Sequence, residues 1–195
     1  MQPLQYGCPS IKLQLPDKYY CLCILVFNNF RKYYLVFTKE IAVMMRLSTS
    51  QVRSILVIDD DIDDFEQVAE AIKQVAPHIT VYFLSKCEDA KNFFRHSIDL
   101  VLLDINMPRH DGFYWLKEIR ERGYKDLPII MYTNSTRPAH IEKAYEEGAN
   151  LFFPKPDRFE QLMRGLQQLV QFNWANPFSI TEKYFGNGRY AAFQP

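Results

Sequence analysis

The sequence predicts an α/β protein: a doubly wound sheet of five parallel strands with helices on both faces. Three observations predict it. Between residues 54 and 172, short apolar runs alternate with stretches of helical periodicity five times, and the links between them are short. That order requires right-handed crossovers and hence a parallel sheet. The central run, Leu100-Val101-Leu102-Leu103, is apolar without alternation, as a strand covered on both faces should be, and it leads straight into Asp104.

Taken in order, the first strand spans 54–58 and ends in Asp59-Asp60-Asp61. A helix over 63–76 follows, with Phe65, Val68, Ala69, Ile72 and Val75 on one side, and stops before Pro77. Residues 79–84 form the second strand. A helix over 88–96 turns Ala90, Phe93 and Phe94 inward. The central strand covers 99–104, and Gly123 closes a helix over 112–121 that carries Phe113, Leu116 and Ile119. Strand four, 128–132, leads into Thr133-Asn134-Ser135, and Gly148 stops the helix over 138–147. A short fifth strand, 151–153, enters Pro154-Lys155-Pro156. Asp157 is then placed to cap a last helix that runs to about 172.

The chain of 195 residues has room for one well-filled core with appendages. Its 23 basic and 23 acidic residues cancel, so no electrostatic drive toward nucleic acid or an anionic membrane is expected. Cys8, Cys21, Cys23 and Cys87 show no paired metal or disulfide spacing, which makes a reducing, cytoplasmic setting the default. Residues 1–53 read as an N-terminal extension. Their clean apolar run, 21–27, is far short of the roughly 20 residues that span a bilayer. Met44 or Met45, just ahead of the patterned region, is the expected start of the native product, leaving residues 1–44 untranslated. The other reading is a true extension that packs on the domain or touches a membrane. Residues 173–195 form a short tail, aromatic and rich in turns.

Four chemical features fall at strand ends in this layout: the acidic pair Asp59-Asp60, Asp104, the hydroxyl of Thr133 and the ammonium of Lys155. Parallel strands gather those ends along one edge of the sheet, where open α/β folds place ligands. Three carboxylates so close together repel one another unless a cation is present. A hard divalent ion with oxygen ligands suits them, and Mg²⁺ is the expected cofactor. It would screen an incoming phosphate and let a carboxylate act as nucleophile on phosphorus, giving an acyl phosphate on Asp104.

Ile55-Leu56-Val57-Ile58-Asp59-Asp60, Leu102-Leu103-Asp104-Ile105-Asn106-Met107-Pro108 with Asp111-Gly112, Met131-Tyr132-Thr133 and Phe153-Pro154-Lys155-Pro156 together resemble the receiver domain of bacterial two-component response regulators. The likeness covers residues 54–172 and implies a flavodoxin-like sheet of strand order 2-1-3-4-5. It implies Asp104 as phosphoacceptor, and Asp59, Asp60, Asp104 and the backbone carbonyl of Asn106 as holders of the metal. Thr133 would be the switch hydroxyl, Phe152 the switch aromatic and Lys155 the phosphate partner, with a cis bond between Lys155 and Pro156. Asn106 and Ser135 match positions that tune dephosphorylation. The run 111–115 resembles small single-domain regulators paired with phytochrome-like and hybrid kinases. The implied partner is a histidine kinase or histidine phosphotransfer protein, with output through protein contact at the face of the fourth helix, fifth strand and fifth helix. The downstream target is not named by the sequence, and a homodimer stays open.

Simpler readings compete. Asp59, Asp61, Asp63 and Glu70 fit four positions of a calcium loop, but Asp64 stands where that loop needs glycine. Asp63 and Asp64 are better placed to start a helix. The GxGxxA string at 186–191 lies outside any strand-to-helix turn and reads as a plain turn. Arg120-Glu121-Arg122 reads as a solvated helix end. Two other functions carry over: a haloacid-dehalogenase-like phosphatase, which needs an acid where Asn106 stands, and a receiver-fold interaction module that works without phosphorylation.

Overall fold

The computed structural model describes residues 52–85 and 98–195, and the expectations for 1–51 and for the helix at 88–96 lie outside them. Strands β1 (Ser54–Ile58), β2 (Thr80–Leu84), β3 (Leu100–Leu103), β4 (Ile129–Thr133) and β5 (Leu151–Pro154) pair in the order β2-β1-β3-β4-β5, every pair parallel. The described helices of this layer are α1 (Ile62–Val75), α2 (Gly112–Glu121), α3 (Pro138–Glu146) and α4 (Phe159–Gln171). Fold class and strand order are those expected from the sequence.

Every residue of β1, β3 and β4 is buried, because helices cover both sides of the sheet. Successive side chains go to opposite faces. Ile55, Val57, Leu100, Leu102, Ile130 and Phe153 pack with α1 and α4, while Leu56, Ile58, Val101, Leu103, Met131 and Phe152 pack with α2 and α3. A one-residue slip of any of these strands would exchange its two faces, so packing on both sides fixes the register that places each strand end.

Local signals set the helix ends. Asp61 caps α1 by accepting from the Asp63 N–H, and Asp111 caps α2 by accepting from the Tyr114 N–H. Asp157 does not cap α4: Arg158 holds the cap position, without a side-chain bond. Burial of Leu162, Leu166, Leu169 and Val170 holds that helix instead.

Three polar side chains brace the layers. Asp99 Oδ2 accepts from the N–H groups of Arg53 and Ser54 and from the Ser54 hydroxyl, tying β1 to the start of β3. Arg120 donates to the carbonyls of Gly148, Tyr124 and Leu127 and to Asn150 Oδ1, which also accepts from the Ile129 N–H. Arg120 is thus a half-buried brace rather than part of a solvated helix end, and burial lowers its pKa to about 10.

The segment after α4 belongs to this body. It forms α5 (Phe178–Lys183) and a hairpin of β6 (Phe185–Gly186) and β7 (Arg189–Tyr190), turned by Asn187 and Gly188 with φ of 52° and 72°. Trp174, Ile180 and Phe193 are buried in the core under α1 and α4. Tyr190 stacks on Tyr145 at 4.4 Å, and the Tyr145 hydroxyl donates to the Ala191 carbonyl while accepting from the Phe152 N–H. The Phe193 N–H donates to the Phe152 carbonyl at 2.7 Å, so the tail lies along β5. Part of the face expected to carry output is therefore occupied by the chain itself.

Candidate functional site

The strand order reverses between β1 and β3, and such a switch point opens a crevice at the carboxyl ends of the two strands. Asp59 follows β1 and Asp104 follows β3. Backbone bonds continue the sheet through both, Asp59 N–H to Leu84 and Asp104 N–H to Ile58. Asp59 and Asp104 are 1% and 4% exposed, whereas Asp60 is open to solvent. One oxygen of each of these three carboxylates lies within 4.8 Å of the others.

Burial alone would make such a cluster costly. Part of the compensation is local: Asp59 Oδ1 accepts from the Asp61 N–H, and Asp104 Oδ2 from the Asn106 N–H. The rest is a cation. Lys155 follows β5, its backbone N–H bonded to the Thr133 carbonyl, and its Nζ lies 2.7 Å from Asp59 Oδ2, 2.6 Å from Asp64 Oδ2 and 3.7 Å from Asp104 Oδ1. Burial works against the ammonium, but the bonds to Asp59 and Asp64 and the charge of Asp104 outweigh it and raise its pKa.

Asp104 Oδ1 is buried without a hydrogen-bond partner. A buried carboxylate oxygen left open beside two further carboxylates is a donor set suited to a hard divalent cation, with Asp60 giving it a solvent-side ligand. The residues present fit Mg²⁺.

Thr133 ends β4 fully buried, with its hydroxyl accepting from the Ser135 N–H. Asn106 and Ser135 line one groove of about 350 Å³ together with His140. Phe152 is not among the groups that meet here: it is fully buried in the core toward α2 and α3. The expected cis bond before Pro156 is also corrected. No peptide bond among the described residues is cis, so Lys155–Pro156 is trans, the isomer an X–Pro amide favours by about 0.5–1 kcal/mol.

Sequence reasoning missed the role of Asp64. It takes the residue as a helix-start acid, which its place in the first turn of α1 supports, yet its carboxylate also reaches Lys155. The available signal is five aspartates within 59–64 ahead of a single strand-end lysine, more acid than a helix start needs.

Burial pushes the Asp59 carboxyl up to about 6, against the opposing pull of Lys155. A carboxyl raised in the fold favours the protonated state there, so its contribution is present below the unfolded pKa and lost as pH rises through 6. Asp59→Asn should therefore gain roughly 1–3 kcal/mol at pH 7.5 in a chelator, and nothing at pH 3.5. Urea midpoints at the two pH values test this, and an equal change at both would refute it.

The model of the response regulator receiver domain matches residues 55–167. Among curated relatives, the sensory transduction protein BceR of Halalkalibacterium halodurans is 30% identical over 118 residues, 60% of this chain and 49% of that protein. The cyclic di-GMP phosphodiesterase response regulator RpfG of Xanthomonas campestris is 29% identical over 120 residues, 60% of this chain and 32% of its own. The match to the first of these thus spans about half of that relative's length. Among solved structures, the chemotaxis response regulator CheY4 of Vibrio cholerae superposes with a TM-score of 0.53 at 26% identity, covering 61% of this chain and 99% of that one. The phosphorylated cyanobacterial phytochrome response regulator RcpA gives 0.56 at 24%, covering 64% and 95%, a likeness of fold. With strand order, acidic crevice and facing lysine in agreement, the chain belongs to the receiver-domain family of two-component response regulators.

Proposed function

We propose that this chain works as a single-domain response regulator whose Asp104 accepts a phosphoryl group and whose output is protein contact. The observation that carries the reading is the free buried oxygen of Asp104, 3.7 Å from Lys155 and beside two further carboxylates. Response regulators receive phosphate from histidine kinases, so the donor here is a histidine kinase or a histidine phosphotransfer protein. In the transfer, an Asp104 oxygen bonds to phosphorus, and the donor–phosphorus bond breaks with its electron pair leaving on the donor.

The side chains divide the work. Asp59, Asp60 and Asp104, with the Asn106 carbonyl, would hold Mg²⁺. The ion supplies charge neutralisation for the phosphoryl oxygens. Lys155 brings a mobile cation to the same oxygens, exchanging its hold on Asp59 or Asp64 for them. Thr133 donates its hydroxyl to the phosphoryl group. Burial of Thr133 within β4, next to β5, would pass that movement toward Phe152, the proposed switch aromatic. Because the group stays on the protein until hydrolysis, the chain is a carrier and switch, not a turnover enzyme. Residues 54–172 form the regulatory unit in this reading, and its setting is cytoplasmic.

The test is incubation with a small phosphodonor such as acetyl phosphate, with and without Mg²⁺, read by intact mass. Wild type should gain one phosphoryl group only with the metal, and Asp104→Asn none. A wild type that never labels defeats the proposal. Steady turnover of a phosphomonoester would instead favour the phosphatase, and equal partner affinity of wild type and Asp104→Asn the phosphorylation-independent module.

A further inference from the structure

We propose that His140 is a positioning residue for hydrolysis of the phosphoryl group on Asp104, acting through the Ser135 hydroxyl. This rests on the phosphoacceptor reading above and goes beyond it by naming what orients the Ser135 hydroxyl.

The groove of about 350 Å³ is lined by Asn106, Asn134, Ser135, Thr136, Arg137 and His140. Two of its residues are bonded to groups of the site, one to Asp104 and one to Thr133. The Asn106 N–H holds Asp104 Oδ2 at 2.9 Å, and the Ser135 N–H reaches the Thr133 hydroxyl at 3.4 Å. Ser135 Oγ lies 2.9 Å from His140 Nδ1. The imidazole is held in place: its ring is set edge-on to buried Phe113 at 5.5 Å, and the His140 backbone N–H is bonded to the Arg137 carbonyl in the first turn of α3.

A serine hydroxyl alone swings among three staggered positions. With the imidazole proton on Nε2, Ser135 donates to Nδ1, which fixes the hydroxyl hydrogen on the imidazole. The Arg137 N–H takes one lone pair at 3.4 Å, leaving the other to accept from a water in the groove. That water is then held with its oxygen free to attack. In the step, water oxygen bonds to phosphorus, the bond from phosphorus to Asp104 breaks, and the electron pair stays on the carboxylate. Inorganic phosphate leaves with both protons of the water. Aiming the attacking oxygen is an orientational effect, and removing it slows the step without changing its chemistry.

The experiment starts from fully phosphorylated protein freed of donor, so the rate of labelling does not enter, and follows loss of the phosphoryl group by phosphorus NMR. His140→Phe keeps an aromatic ring against Phe113 but removes Nδ1, whereas His140→Asn loses the ring and can offer an amide atom near the place of Nδ1. If His140 positions Ser135, hydrolysis slows about 3- to 10-fold in His140→Phe and recovers most of the way in His140→Asn. Ser135→Ala should match His140→Phe, and the double variant should be no slower than either. A packing role predicts the reverse ranking, with Phe retaining the rate and Asn losing it. That ranking, or effects that multiply in the double variant, overturns the inference while leaving Asp104 as acceptor. A wild type that takes no phosphate overturns both.

Discussion

Gly112→Ala is expected to cost the fold about 3 kcal/mol or more and to slow phosphorylation of Asp104 by roughly 10- to 100-fold. A Cβ at position 112 would lie 2.1 Å from the Asp104 carbonyl oxygen, 2.9 Å from its carbon and 3.0 Å from the Ile105 Cα. All three are backbone atoms, so no side chain can swing aside. Either α2 retreats from the sheet or the Asp104 peptide moves, and both alter the loop that aims the acceptor carboxylate. The Gly112 N–H is bonded to the Ile105 carbonyl, which ties helix and loop together. Gly123→Ala separates crowding from glycine chemistry in general. Gly123 has φ of +97°, but a Cβ there would meet nothing within 4 Å, so the variant should lose only about 1 kcal/mol and keep its labelling rate. Chemical denaturation and labelling time courses on both variants decide the matter, and Gly112→Ala behaving like Gly123→Ala would rule out the contact argument.

Lys155→Met should cost about 3 kcal/mol at pH 7.5 in the absence of divalent cations, in line with breaking a buried ion pair from one side. The ammonium serves three carboxylates at once, and without it buried Asp59 and Asp104 and half-buried Asp64 lose their shared cation. Asp59 already carries a raised pKa with lysine present. Without the lysine its protonated form is favoured further in the fold, so the variant's deficit grows as pH rises through and above 6 and shrinks as pH falls toward 4. Removing one charge should act the same way: Asp59→Asn added to Lys155→Met recovers much of the loss. Thermal midpoints of the two variants in chelator across pH 4 to 8 measure this. A deficit independent of pH, unrelieved by the second substitution, would mean that lost packing of the lysine stem dominates.

How much of the site is legible in the sequence follows from where each group sits. Asp59, Asp104 and Thr133 end or follow strands whose apolar runs are unmistakable, and parallel order alone brings such ends to one edge. Lys155 is found the same way, one residue beyond β5. Asp64 is not, because its reach to Lys155 depends on the phase of α1 relative to the sheet, a tertiary quantity. Arg120 and Asn150 look like ordinary polar residues until the loops they bridge are in place. Nor does the tail show a period, since Trp174, Ile180 and Phe193 enter the core singly from irregular backbone and a short helix. The pairing of Ser135 with His140 spans the start of a helix whose cap uses neither side chain, so no capping pattern points to it.

The path of the last residues has a consequence for solubility. β5 ends the order of the sheet, and an end strand with open N–H and carbonyl groups is a template on which other chains can add. Here Phe193 takes the Phe152 carbonyl and seats its ring against Phe153 and Phe172, so part of that rim is covered from within. Protection against edge-to-edge pairing on that side thus rests in part on Phe193, and loss of its ring would leave Phe153 and Phe172 without that cover.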